Sequence, residues 1–120
     1  MAHLNLIVIK TDKLPEQSRF YTALGFQFDY HQHGNGPFHY TSVGSAPVLE
    51  LYPQPKGIVT LDVTTRLGFV VDNLEQTIKT LREMGAVIVS EPAQQEWGYA
   101  AVIQDLDGRK IDLTEDADDL

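Results

Sequence analysis

Between Arg66 and Val71 the apolar residues Leu67, Phe69 and Val71 alternate with Arg66, Gly68 and Val70. A period of two predicts a half-buried strand. Asp72 stands where a helix N-cap would, with Glu75 three residues on, so each side chain could satisfy a free backbone N–H of the first turn. Leu74, Ile78 and Leu81 then fall on one helical stripe, and Gly85 suits the left-handed residue that ends a helix. The pattern predicts a helix over 73–84.

Shifted back by 60 residues, much of this recurs. Asp12 stands for Asp72, Leu14 for Leu74, Arg19 for Lys79, Leu24 for Met84 and Gly25 for Gly85. Two copies of one unit sharing a fold explain a repeat near half the chain length. In the first copy, His3 to Lys10 reads as a strand with Leu4, Leu6 and Val8 on one face and Asn5, Ile7 and Ile9 on the other. A helix follows from Asp12 to Leu24, with Pro15 tolerated in its first turn. Phe26, Phe28 and Tyr30 alternate into a hairpin that turns near Gly34–Pro37 and returns through His39 to Val43. A turn at Gly44–Pro47 leads to Val48–Tyr52, with Leu49 and Leu51 on one face. The second copy reads as strand 66–71, helix 73–84, strand 86–90, a loop through Glu96-Trp97-Gly98, strand 99–104, a turn at 105–108 and strand 110–114.

The predicted architecture is therefore a single α+β domain, in which two β-α-β-β-β modules form a cup-shaped mixed sheet. Module one covers about 1–53, a Pro-bearing connector 54–65, module two about 66–114 and an acidic tail 115–120.

Composition narrows the partners. The chain has 120 residues, 42% hydrophobic and 22% charged, as expected of one ordinary globular domain. A net charge of −8 argues against nucleic acid or an anionic membrane, which need clustered Lys and Arg. Half of that excess lies in the tail residues Glu115, Asp116, Asp118 and Asp119. With no cysteine, disulfides, thiolate nucleophiles and Cys-type zinc sites are excluded, and a reducing cytoplasm is the expected location. No signal-peptide pattern and no membrane-length apolar run is present.

Four polar residues stand out, one on each of four strands and each flanked by residues of the apolar face: Asn5, Glu50, Arg66 and Asp112. By alternation each is expected to point away from the helices, and together they would line one cup. With FYTALGF at 20–26, VLELYP at 48–53, RLGFVVDN at 66–73 and DLDGRKIDL at 105–113, the chain resembles the glyoxalase / bleomycin-resistance / ring-cleaving dioxygenase group, the vicinal oxygen chelate superfamily. The resemblance implies paired β-α-β-β-β modules, often at a dimer interface. In the metal-dependent lyases and isomerases of that family the cup holds a divalent ion between His and Glu. Those four ligand positions fall on Asn5, Glu50, Arg66 and Asp112, of which only Glu50 is identical.

A guanidinium cannot lose its proton to become a ligand. Arg66 is expected to take the place of the metal and to pair with Glu50 and Asp112. The leading expectation is a homodimeric protein that binds a small polar organic molecule without a native metal, either sequestering it or acting on it. Arg66 would hold an anionic or carbonyl group, and Glu50 and Asp112 would supply hydrogen bonds or a catalytic base. Asn5 and Tyr52 are further ligand contacts, although Asn5 also suits a strand residue bonded to a neighbour. Trp97 suits the pocket mouth, and equally core filling or a dimer contact.

The alternatives are a lyase or isomerase of lactoylglutathione-lyase type using Ni²⁺, Zn²⁺ or Mn²⁺, and a non-catalytic dimeric interaction module. His31, His33 and His39 flank the hairpin turn at a spacing that can hold a transition metal, but the surface hairpin favours solvated histidines.

Overall fold

The computed structural model describes residues 1–44 and 46–117. Ser45 in the Gly44–Pro47 turn, and Asp118 and Asp119 of the acidic tail, lie outside the described residues. The chain forms two compact units, Met1–Leu61 and Asp62–Leu120.

The first unit runs β1 (Leu6–Thr11), α1 (Leu14–Ala23), β2 (Phe28–His31), β3 (His39–Ser42) and β4 (Val48–Pro53). Its sheet has the order β1-β4-β3-β2, with β1 parallel to β4 and the other pairs antiparallel. Ile9 of β1 and Leu49 and Leu51 of β4 are buried on one face, where α1 packs and buries Phe20 and Tyr21. The second unit repeats the plan: β5 (Leu67–Val71), α2 (Leu74–Glu83), β6 (Val87–Gln95), β7 (Gly98–Gln104) and β8 (Lys110–Glu115), in the order β5-β8-β7-β6. Leu67, Val71, Ile111 and Leu113 face α2, whose Leu74, Ile78 and Leu81 are buried. The fold is α+β, with two four-stranded mixed sheets and two ten-residue helices among the described residues.

Several local expectations change. The N-cap of α2 is Asn73, one residue after Asp72, and its side chain accepts from the Gln76 N–H at 3.0 Å. Glu75 does not close a capping box; it accepts from the Tyr99 hydroxyl of β7. The Leu74 N–H is taken instead by the Glu115 carboxylate at 2.9 Å. Helix α1 begins after Lys13 with no side-chain cap, and Pro15 in its first turn needs no donor. Both helices stop at a glycine with positive φ, +118° at Gly25 and +87° at Gly85.

Strand β6 runs to Gln95, past the expected end at residue 90, through register shifts between Ile88 and Ser90 and between Ser90 and Ala93. Gln95 pairs with Gly98, so the loop around Trp97 is a two-residue hairpin turn.

The face of β1 is also reversed. Ile7 and Ile9 pair in register with Leu49 and Leu51 on the helix side, whereas Leu6 and Val8 are exposed beside Val48 and Glu50. Apolar residues stand at both parities of this strand, and its register with β4, whose Leu49 and Leu51 lie on the α1 side, puts Ile7 and Ile9 there and Asn5 with them.

Candidate functional site

Apart from Asn5, each unit places its candidate strand residues on the sheet face opposite its helix. In the second unit Gly68 of β5 pairs with Asp112 of β8, which brings Arg66, just before β5, alongside. Arg66 Nε and Nη2 donate to Asp112 Oδ2 and Oδ1 at 2.6 and 2.9 Å, a two-pronged ion pair. The guanidinium hydrogen bond and charge hold the Asp112 carboxyl below the ordinary carboxylate range, and the same pairing raises Arg66. Both side chains are about half exposed, so the pair fixes geometry more than it stabilises the fold.

Beside this pair lies a cleft of about 240 Å³. Its lining includes Ala100 and Val102 of β7, Asp112 and Thr114 of β8, and Trp97 at the hairpin turn. Trp97 is 70% exposed, neither core filling nor buried, and gives the cleft an aromatic wall.

In the first unit Glu50 pairs with Thr41 across β3 and β4, and the Thr41 hydroxyl donates to Glu50 Oε2 at 3.0 Å. One step along the ladder, the His39 ring stacks on Tyr52, with centroids 4.0 Å apart and planes within 10°. His31 pairs with His39 across β2 and β3, and their Nε2 atoms are 3.0 Å apart. His39 Nε2 is 4.0 Å from Glu50 Oε2. Tyr52 therefore supports an imidazole, and Glu50 faces a histidine cluster.

The expectation of solvated histidines fails for two of the three. His39 is 1% exposed and His31 half-buried; only His33 is exposed. A signal was available, since both ring positions lie four residues from Asn35 and an antiparallel hairpin centred there must pair them. Their burial was not legible, because it comes from Tyr52 on another strand. Asn5 precedes β1 in phase with Ile7 and Ile9; it is exposed, and its carbonyl accepts from the Val48 N–H at 2.9 Å. It is out of phase with Glu50. The residue of β1 occupying the place that Arg66 holds beside β5 is Leu6.

One polar cluster escaped the sequence reading. Asp105 and Arg109, both buried, close the β7–β8 turn with a 2.6 Å ion pair, and Arg109 Nη2 also donates to the Asp62 carbonyl at 2.6 Å. The Asp62 carboxyl is lowered to about 2, chiefly by the Thr65 hydroxyl and then by Thr64. These contacts hold a turn and a strand entry together.

The metal positions of the resembled family can be tested on this geometry. In the second unit both oxygens of Asp112 are engaged by a guanidinium that cannot serve as a ligand. Those residues do not fit a divalent ion. A proton-shuttling step on a metal at that place has no support from them.

A mixed-sheet fold built twice as β-α-β-β-β, with polar groups on the helix-free faces, defines the structural class of this chain. The family model of the Glyoxalase/Bleomycin resistance protein/Dioxygenase superfamily matches residues 3–113, and the chain belongs to that superfamily. No curated protein matches the sequence significantly.

Solved structures share the fold. TnmS3, an antibiotic binding protein from Streptomyces sp. CB03234, is 21% identical with a TM-score of 0.75, covering 98% of each chain. A superfamily enzyme from Burkholderia phytofirmans PsJN is 18% identical with a TM-score of 0.75, covering 95% of this chain and 98% of the other. A superfamily member from Sphaerobacter thermophilus DSM 20745 is 21% identical with a TM-score of 0.72, covering 97% and 98%. No helix among the described residues is long and apolar enough to cross a membrane.

Proposed function

We propose that this protein binds a small organic molecule in the cleft of its second unit and sequesters it without chemical change. The observation that carries this reading is the cleft itself, lined by an exposed Trp97, by alanine and by an ion-paired carboxylate. Its volume of about 240 Å³ lies just below the usual span of ligand pockets, roughly 300–1,000 Å³, and suits a small ligand or one ring of a larger one.

Asp112 is a poor proton acceptor. A general base works best with a pKa near the operating pH, and Arg66 drives this carboxyl the other way. The Arg66–Asp112 pair instead offers a fixed donor and acceptor to a polar substituent. The antibiotic-binding relative supports the same class of ligand. Leu6, Val8 and Val70 are exposed apolar strand residues, which supports a homodimer; the cysteine-free composition suits the cytoplasm.

Trp97 is the single tryptophan of the chain, so its fluorescence reports the cleft directly. Titration with a panel of planar aromatic antibiotics should give a saturable change for at least one. Trp97→Ala, followed by calorimetry, should weaken that ligand about 10-fold, as expected for losing one aromatic contact of about 1.4 kcal/mol. An unchanged affinity would refute the assignment of the cleft.

A further inference from the structure

The first unit carries a separate constellation. The rings of His31, His33 and His39 lie with centroids 4.6 to 5.1 Å apart, and Glu50 adds a carboxylate. One donor atom from each of the four residues lies within 4.8 Å of all the others. Four donors around one ion at about 2.1 Å stand roughly 3.4 Å apart, so the observed 3.0 Å between His31 Nε2 and His39 Nε2 and 4.0 Å from His39 Nε2 to Glu50 Oε2 bracket the required edge.

The donors are also oriented. His39 Nδ1 lies 3.1 Å from the Pro37 carbonyl, which can only accept. That bond places the proton on Nδ1 and leaves the Nε2 lone pair facing His31 and Glu50. The Thr41 hydroxyl holds Glu50 Oε2 in the same way, and Tyr52 stacks on the His39 ring and prevents it from turning. Three imidazoles and a carboxylate are the ligand set of a zinc-class transition metal, harder than a thiolate site and softer than the all-oxygen sites of Mg²⁺ or Ca²⁺.

We propose that His31, His33, His39 and Glu50 form a site for one Zn²⁺-class ion that ties the β2–β3 hairpin to β4. Of these residues only Glu50 falls on one of the superfamily's ligand positions; the imidazoles come from a hairpin that supplies none of them. Four protein donors complete a tetrahedral shell, so the ion acts as a staple. His33, on the exposed side, is the ligand through which it enters. The site lies wholly within the first unit and does not depend on the cleft of the second.

The test uses the full chain prepared without a polyhistidine tag and stripped with chelator. Calorimetric titration with Zn²⁺ should show one ion per chain with a micromolar or tighter Kd, and zinc should raise the melting temperature. Co²⁺ should give the intense visible absorption of a tetrahedral nitrogen-rich site. His31→Ala should weaken zinc about 100-fold or more. Thr41→Val, which removes only an outer hydrogen bond, should cost about 10-fold. Arg82→Ala, on the exposed face of α2, serves as the control and should change nothing.

Because His39 is buried, its replacement could unfold the unit, so the decision rests on the exposed His33→Ala, which should weaken zinc and abolish the tetrahedral cobalt spectrum. No stoichiometric ion in the unaltered chain would overturn the proposal. So would zinc binding that His31→Ala and His33→Ala leave unchanged.

Discussion

The two units have the same strand order and equivalent cores, yet their helix-free faces are filled in opposite ways. Glu50 of the first unit corresponds to Asp112 of the second, and Leu6 to Arg66. His39, one step from Thr41 on β3, corresponds to Ala100 on β7, and its partner His31 corresponds to Ala93. Where one unit stacks imidazole on phenol, the other has a methyl group opposite Thr114 and a cleft of about 240 Å³. Backbone topology is shared; side-chain volume at three ladder positions, His39 against Ala100, His31 against Ala93 and Tyr52 against Thr114, separates the packed polar cluster from the open pocket. A duplicated fold can thus divide its labour without altering its core.

If the cores are equivalent, Leu51→Ala and Leu113→Ala should destabilise the chain similarly, each by about 2–5 kcal/mol in denaturant unfolding. One large and one negligible cost would break the comparison at its base. Ala100→His should transplant the filled face into the second unit. We expect ligand affinity in the cleft to fall at least about 10-fold, with an overpacking cost of about 1–3 kcal/mol. Retained affinity would mean that the cleft volume is irrelevant.

Arg66→Ala should change stability at neutral pH by less than about 1 kcal/mol, since both partners are half exposed. Its clearer effect is on titration. Asp112 has a lowered pKa, so the pairing contributes above the ordinary carboxylate range and is lost as pH falls through the lowered value. The variant and the parent should therefore differ at neutral pH and converge in strong acid. Carboxyl NMR should show Asp112 titrating higher in the variant. The smallest effect is expected for Thr65→Ala, which should raise the Asp62 carboxyl from about 2 toward its usual range with little change in unfolding.

Much of this contrast was legible in the chain. The 60-residue echo, the clean alternation of Leu49 and Leu51 around Glu50 and of Ile111 and Leu113 around Asp112, and the glycine stops led directly to two β-α-β-β-β units. Of the two carboxylates expected to pair with Arg66, Asp112 does so, whereas Glu50 accepts from the Thr41 hydroxyl and faces His39. What stayed hidden depended on contacts across strands. β1 carries apolar residues at both parities, so only its register with β4 reveals that Asn5 is out of phase. β6 looks finished at Ser90 because its later residues are polar, yet the ladder continues through two irregularities to Gln95. His39 reads as a solvated turn residue until Tyr52 is seen beneath its ring.

The most direct test of the account is a fluorescence titration of Trp97 with planar aromatic antibiotics, run in parallel on the unaltered chain and on Ala100→His. A saturable change at one ligand per chain, lost or weakened at least about 10-fold in the variant, is the predicted result. No saturable change with any member of the panel, or equal binding by both proteins, would contradict the assignment of the open face as the ligand site.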